Sequence, residues 1–108
     1  MVVIDTNIAI ERVKNKEEIR ENIAEVTLVE YPPITDYEKF YGRVLIIERV
    51  DVLLAIELQK RLRRSGKTKP FADILIASIC INRNEELITK DKDFLDIDRV
   101  SNLKVKLV

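Results

Sequence analysis

Apolar residues fall along this chain in two rhythms. Short runs rich in β-branched residues read as strands at Val2–Ile4, Val26–Val29, Val44–Ile47, Leu87–Thr89 and Val105–Val108. Elsewhere the spacing is helical. Leu54, Leu58 and Leu62 recur at i, i+4 and i+8, which predicts an amphipathic helix from Asp51. Asp51 is its expected N-cap, and Gly66 the expected left-handed residue past its end. Pro70 precedes a nearly all-apolar helix from about Asp73 to Asn82, which must be buried. Ile8, Ile10, Val13, Ile19 and Ile23, set among charges in residues 8–25, predict two short helical pieces broken near Lys14-Asn15-Lys16. Tyr31-Pro32-Pro33 deters a helix, although proline is tolerated in a first turn, so residues 30–42 give no firm element. Strands alternating with helices predict an α/β fold on a five-stranded parallel sheet.

The acids fall where these runs stop or start. Asp5 follows Val2–Ile4, Glu30 follows Val26–Val29, Asp91 and Asp93 follow Leu87–Thr89, and Asp73 opens the run Ile74–Ala77. In an open parallel sheet the carboxyl ends of the strands line one rim, and ligands bind there. Carboxylates gathered on that rim without a basic partner repel one another, and a hard divalent cation relieves the repulsion. Each acid alone has an ordinary structural role. Asp5 and Asp73 suit helix starts, Glu30 suits a first turn, and Asp91 and Asp93 suit a turn. The set as a whole is harder to explain that way, because Asp73 is the only charged residue between Pro70 and Asn82.

Composition narrows the chemistry further. The 108 residues suit one domain, and 46% hydrophobic content supplies a core. The 19 basic and 19 acidic residues cancel, which argues against a purely electrostatic nucleic-acid binder. With aromatics at 6% and no Trp, extensive base stacking is not expected. The absence of histidine removes the Ser-His-Asp triad, the paired-histidine ribonuclease and the histidine-ligated zinc site. Cys80, the single cysteine, sits in the run Ile79-Cys80-Ile81 and reads as a small buried hydrophobe in a reduced cytoplasm. No segment approaches the roughly 18 apolar residues that span a bilayer, so a soluble, untargeted protein is expected. The wealth of Glu and Lys, with little Gln, Met or Gly, matches thermophile composition. The strongest basic cluster is Arg61-Leu62-Arg63-Arg64-Ser65-Gly66-Lys67.

Four segments together carry a resemblance. Ile4-Asp5-Thr6-Asn7, Thr27-Leu28-Val29-Glu30, Ala72-Asp73-Ile74-Leu75-Ile76-Ala77 and Leu87-Ile88-Thr89-Lys90-Asp91-Lys92-Asp93-Phe94 resemble, in that order, the PIN-domain family and within it the VapC-type toxin ribonucleases. The resemblance runs from residue 2 to about residue 97. It implies a single three-layer α/β/α domain over residues 1–108 and an Mg²⁺- or Mn²⁺-dependent endoribonuclease that hydrolyses RNA with a metal-activated water. By matching positions, Asp5, Glu30, Asp73 and Asp91 form the catalytic quartet, and Asp5, Asp73, Asp91 and Asp93 the metal ligands. Asn7 and Thr89 support the pocket. The resemblance also implies a homodimer and a cognate antitoxin. Relative to that family, the stretch between Asp5 and Asp73 is short, and there the antitoxin and the substrate groove are usually accommodated. Arg63, Arg64, Lys67, Lys90 and Lys92 are the candidate contacts to RNA phosphates, against the simpler reading of a solvated helix face.

Four other readings compete. A haloacid-dehalogenase-type phosphatase needs a second aspartate two positions after the first, where this chain has Asn7. A receiver-type phosphoacceptor domain needs a late lysine that finds no match. A housekeeping PIN nuclease or a decayed PIN-like binding module would share the fold without the toxin role.

Overall fold

Residues 1–108 are described by a computed structural model. In chain order the elements are β1 (Val2–Ile4), α1 (Thr6–Lys14), β2 (Ile23–Ala24), α2 (Glu25–Glu30), a 3₁₀ turn (Pro32–Asp36), β3 (Val44–Leu45), α3 (Arg49–Arg64), α4 (Phe71–Asn82), β4 (Glu86–Thr89), α5 (Phe94–Arg99) and β5 (Lys104–Leu107). Every strand pairing is parallel. The predicted five-stranded sheet is divided: β1-β4-β5 form one part and β2-β3 another. The two parts meet at one parallel bridge between Val3 and Asn22. There the Ile4 N–H donates to the Asn22 carbonyl, and the Asn22 N–H to the Val2 carbonyl, both at 3.0 Å. Two-residue strands cannot extend the ladder past this seam. The Asn22 side chain ties it instead, donating to Glu85 at 2.8 Å and accepting from the Arg43 amide at 3.0 Å.

Strand alternation builds a core on each face of the sheet. Val3, Ala24 and Leu87 point into a large cluster with Leu58 and Leu62 of α3, the buried residues of α4, and Phe94 and Ile97 of α5. Ile4 and Ile23 point the other way, into a smaller cluster with Ile8 and Ala9 of α1, Ile19 and Ile34. Helices therefore cover both sides, which is the three-layer arrangement expected. The α3–α4 pair is clamped at one end by Asp51, fully buried. It accepts from Asn82 at 2.8 Å and from Arg83 at 2.9 Å, and its other oxygen takes the Glu48 amide at 2.8 Å. Burial raises the pKa of this carboxyl, but the Arg83 and Asn82 hydrogen bonds outweigh burial and hold it below the usual range. No helix is long and apolar enough to cross a membrane.

Several local expectations are corrected. Residues 26–29 are not a strand; they lie in α2, and the strand beside β1 is Ile23–Ala24. Val26 and Thr27 turn inward while Val29 is 78% exposed, a helical rather than an alternating pattern. Packing overrides the β propensity of Val-Thr-Leu-Val here. Only the first helical piece of residues 8–25 forms. It stops at Lys14, followed by Lys16 at φ 58°, and Ile19 then bridges in parallel to Phe40. Asp51 is the third residue of α3 rather than its N-cap, which is Glu48. The apolar helix starts at Phe71, ahead of Asp73, and β3 stops at Leu45. Gly66 does adopt the left-handed conformation, at φ +69°.

Candidate functional site

Asp5 follows β1 and caps α1. Its Oδ1 accepts the Thr6 N–H at 2.8 Å, and its Oδ2 accepts the Thr89 hydroxyl at 2.9 Å. Thr89, the last residue of β4, is fully buried, and its Oγ1 also accepts the Asp91 N–H at 3.0 Å. Asp91 Oδ1 in turn accepts the Asp93 N–H at 2.9 Å. On the other side the Thr6 hydroxyl donates to Glu30 Oε1 at 2.6 Å, while its oxygen lies 2.9 Å from Thr27 Oγ1. A hydroxyl carries one hydrogen, and that of Thr6 goes to Glu30, so Thr27 donates to Thr6. A continuous hydrogen-bonded seam thus runs from Glu30 through Thr6, Asp5, Thr89 and Asp91 to the amide of Asp93. It links β1, α1, α2, β4 and the segment leading into α5.

Asp73 faces this seam from the first turn of α4. Its half-buried carboxyl makes no hydrogen bond and no ion pair. Burial is the main reason its pKa is pushed up to about 6, followed by the charges of Asp5, Asp91, Glu30 and Asp93. The charges of the other four acids thus all reach Asp73. Asp5 is raised too, chiefly by burial. The Thr89 and Thr6 hydrogen bonds oppose that rise, and Glu30 and Asp91 add to it. Asp93 alone meets a cation, Lys69 at 3.7 Å. The same lysine holds Asp96 at 2.7 Å with only 9% of its side chain exposed, a partner that the sequence did not single out.

Glu30 is at the last residue of α2, not at a strand end or in a first turn. It arrives at the rim because α2 is short and packs its Thr27 against Thr6. Asn7 lies exposed on α1, and its side chain bonds none of the acids. Among the basic candidates, Lys90 pairs with Glu11 at 2.6 Å and Lys67 with Asp96 at 3.6 Å. Arg63, Arg64 and Lys92 are exposed and make no ion pair. Thr6 and Thr27 are the functional-looking residues that sequence reasoning missed. Both read as strand or cap formers, and only the i, i+3 spacing of Thr27 and Glu30 hinted at a shared helix face.

The donor set is all oxygen, and most of these carboxylates keep an oxygen free of hydrogen bonds. That suits a hard divalent cation such as Mg²⁺ or Mn²⁺. No three of the acids yet converge into a liganding cluster. Closing them on an ion needs side-chain rotation, to which the unbonded Asp73 offers least resistance.

The model of the PIN domain family matches residues 34–100. No curated protein matches the chain. Among solved structures, one similar fold is in VapBC2 from Rickettsia felis bound to a promoter DNA fragment, at TM-score 0.76 and 19% identity, covering 99% of this chain and 98% of that one. Another is in VapBC-5 from Mycobacterium tuberculosis, a member of the VapBC family of toxin–antitoxin systems, at 0.76 and 20%, with the same coverage. DNA-bound VapBC from Salmonella typhimurium gives 0.75 and 19%, covering 98% of each chain. At these identities the likeness is one of fold.

Proposed function

The chain belongs to the PIN-domain family, and from that premise we propose that it is a divalent-metal-dependent endoribonuclease of the VapC type, the toxin of a toxin–antitoxin pair, working in the cytoplasm. The observation that carries this reading is the rim itself. Asp5, Glu30, Asp73 and Asp91 come from distant parts of the chain, the charges of the other three all reach Asp73, and no protein cation pairs with any of the four. Asp5, Asp73 and Asp91 would hold Mg²⁺ or Mn²⁺, with Asp93 beside them. When bound, the ion supplies a Lewis acid for the scissile phosphate and acidifies a water.

The chain's own residues do the remaining work. Thr6 and Thr89 fix both oxygens of Asp5. Thr89 also fixes the backbone from which Asp91 projects, and Thr6 holds Glu30. Asp73 is left free to turn toward a ligand. Arg63, Arg64 and Lys92 offer cations to RNA phosphates, joined by Lys67 and Lys90 if their ion pairs open.

Partners follow from a second feature. Val29 and Phe71 are each 78% exposed, and Phe71 walls two adjoining apolar cavities of about 240 and 160 Å³. The smaller cavity reaches Glu30. We assign this face and the exposed side of α3 to contacts with a second copy and an antitoxin segment, because bare apolar area of this kind marks an interface.

The test of the catalytic reading is direct. Purified protein with Mn²⁺ or Mg²⁺ should cut a structured RNA, and EDTA should stop it. Asp5→Asn or Asp73→Asn should abolish cutting with the fold intact by circular dichroism. Full activity in either variant rejects the site.

A further inference from the structure

We propose that Thr6 and Thr27 act as a two-hydroxyl relay that positions Glu30 against Asp5, so that the acidic rim is built around Thr6. This inference rests on the nuclease reading above and deepens it by naming positioning residues outside the acidic set.

The geometry is specific. Thr27 is fully buried and Thr6 is 7% exposed, so neither hydroxyl is free to bond bulk water. Thr27 and Glu30 stand at i and i+3 on α2, and α2 has only six residues, Glu25–Glu30. A helix that short has little rigidity of its own. Glu30 is its last residue, exposed, where side-chain freedom is greatest. What fixes it is the Thr6 hydroxyl at 2.6 Å, a length typical of a charge-assisted O–H···O⁻ bond. Thr27, donating at 2.9 Å, takes up the oxygen of Thr6 and leaves its hydrogen only one direction, toward Glu30. The Thr6 N–H meanwhile holds Asp5 Oδ1 at 2.8 Å. One residue therefore sets two carboxylates from opposite sides. Without the hydroxyl, Glu30 would be drawn away by repulsion from Asp5 and Asp73, with nothing on α2 to retain it.

A purely structural role would make different demands. A pair of buried threonines that only packed α1 against α2 would tolerate valine, which has nearly the same shape but cannot donate. Substitution would then alter stability without touching the rim's affinity for a cation.

The experiment measures Mn²⁺ binding by calorimetry and RNA cleavage in wild type, Thr6→Val, Thr6→Ser, Thr27→Val, Glu30→Gln and Thr6→Val/Glu30→Gln. In this proposal Glu30, held by the Thr6 hydroxyl, joins Asp5, Asp73 and Asp91 around the ion, so Thr6→Val should weaken Mn²⁺ binding 10- to 100-fold, the range found when a group supporting a metal ligand is removed. It should lower kcat more than it raises KM. Thr6→Ser should restore both. Thr27→Val should weaken Mn²⁺ binding about fivefold, the size of one neutral hydrogen bond. Adding Thr6→Val to Glu30→Gln should cost nothing further, because the relay acts through that carboxylate. If Thr6→Val fails to fold, folded Thr27→Val carries the test. Wild-type Mn²⁺ affinity in a folded Thr6→Val or Thr27→Val overturns the relay while leaving the nuclease reading in place. A wild-type protein that neither binds Mn²⁺ nor cuts RNA overturns both.

Discussion

Asp73 is the residue at which charge and stability meet. Its carboxyl has a pKa of about 6 in the folded chain, raised first by burial and then by four neighbouring acids. Between the ordinary carboxyl pKa and 6 the folded protein binds the proton more tightly than the unfolded chain does. The contribution of Asp73 to stability is therefore greatest below that window and falls as pH rises through it. The loss is of order 1–2 kcal/mol once solvent screening of this half-buried group is allowed for. In EDTA, Asp73→Asn should therefore melt above wild type at pH 7.5, and the gap should shrink toward zero near pH 4. Groups held low by cationic partners, Asp51 by Arg83 and Asp96 by Lys69, change stability only below that window, so they cancel in the comparison. Mn²⁺ at pH 7.5 should raise the wild-type midpoint more than that of the variant. Equal shifts in both proteins would remove Asp73 from the metal site. Much of this was legible beforehand: an aspartate alone in an apolar helix has few uses, and an aspartate ending a β-branched run points to a rim. Thr6 and Thr27 were not legible, because a hydroxyl's role depends on what faces it, and α1 and α2 meet only after folding.

At the scale of elements, the weak point is the β2–β3 side of the sheet. Strands β1, β4 and β5 and helices α3 and α4 announce themselves through period, since each is long or apolar enough for packing and propensity to agree. Ile23–Ala24 is too short to show alternation, and the β-branched run just after it mimics the strand that it follows. What holds this region is close approach of backbones at Gly42. A Cβ there would lie 1.9 Å from the Glu21 carbonyl oxygen and 2.7 Å from its carbon, backbone atoms that cannot rotate away. Residues 19–24 and 40–45 would have to separate, which breaks the Ile23–Val44 and Ala24–Leu45 pairing. Gly42→Ala should therefore cost about 1–3 kcal/mol, like other overpacking changes. Gly66→Ala meets no atom within 4 Å and carries only the left-handed backbone penalty at φ +69°, about 1 kcal/mol. Urea unfolding of the two variants checks the order. A Gly66→Ala variant less stable than Gly42→Ala would contradict the tight crossing.

For the whole molecule, the acidic rim and the bare apolar face adjoin, and Glu30 belongs to both. That adjacency gives the partner proposal its mechanical content: a segment lying along Val29 and Phe71 ends within reach of the carboxylates. A basic side chain carried there would pair with acids that otherwise lack a cation, and would compete with metal and RNA together. Phe71 suits a test because it is 78% exposed, so its removal disturbs little of the core. Phe71→Asp should leave unfolding free energy within about 0.5 kcal/mol of wild type, as expected for a surface substitution. It should also place a charge where an apolar partner must sit. Co-expression with the product of the adjacent gene should give wild-type protein in a tight complex whose RNase activity is suppressed. The same co-expression with Phe71→Asp should release active nuclease, and light scattering of the isolated chains should show whether self-association is lost as well. If Phe71→Asp is captured and silenced as well as wild type, the partner binds elsewhere on the molecule, and the apolar face needs another occupant.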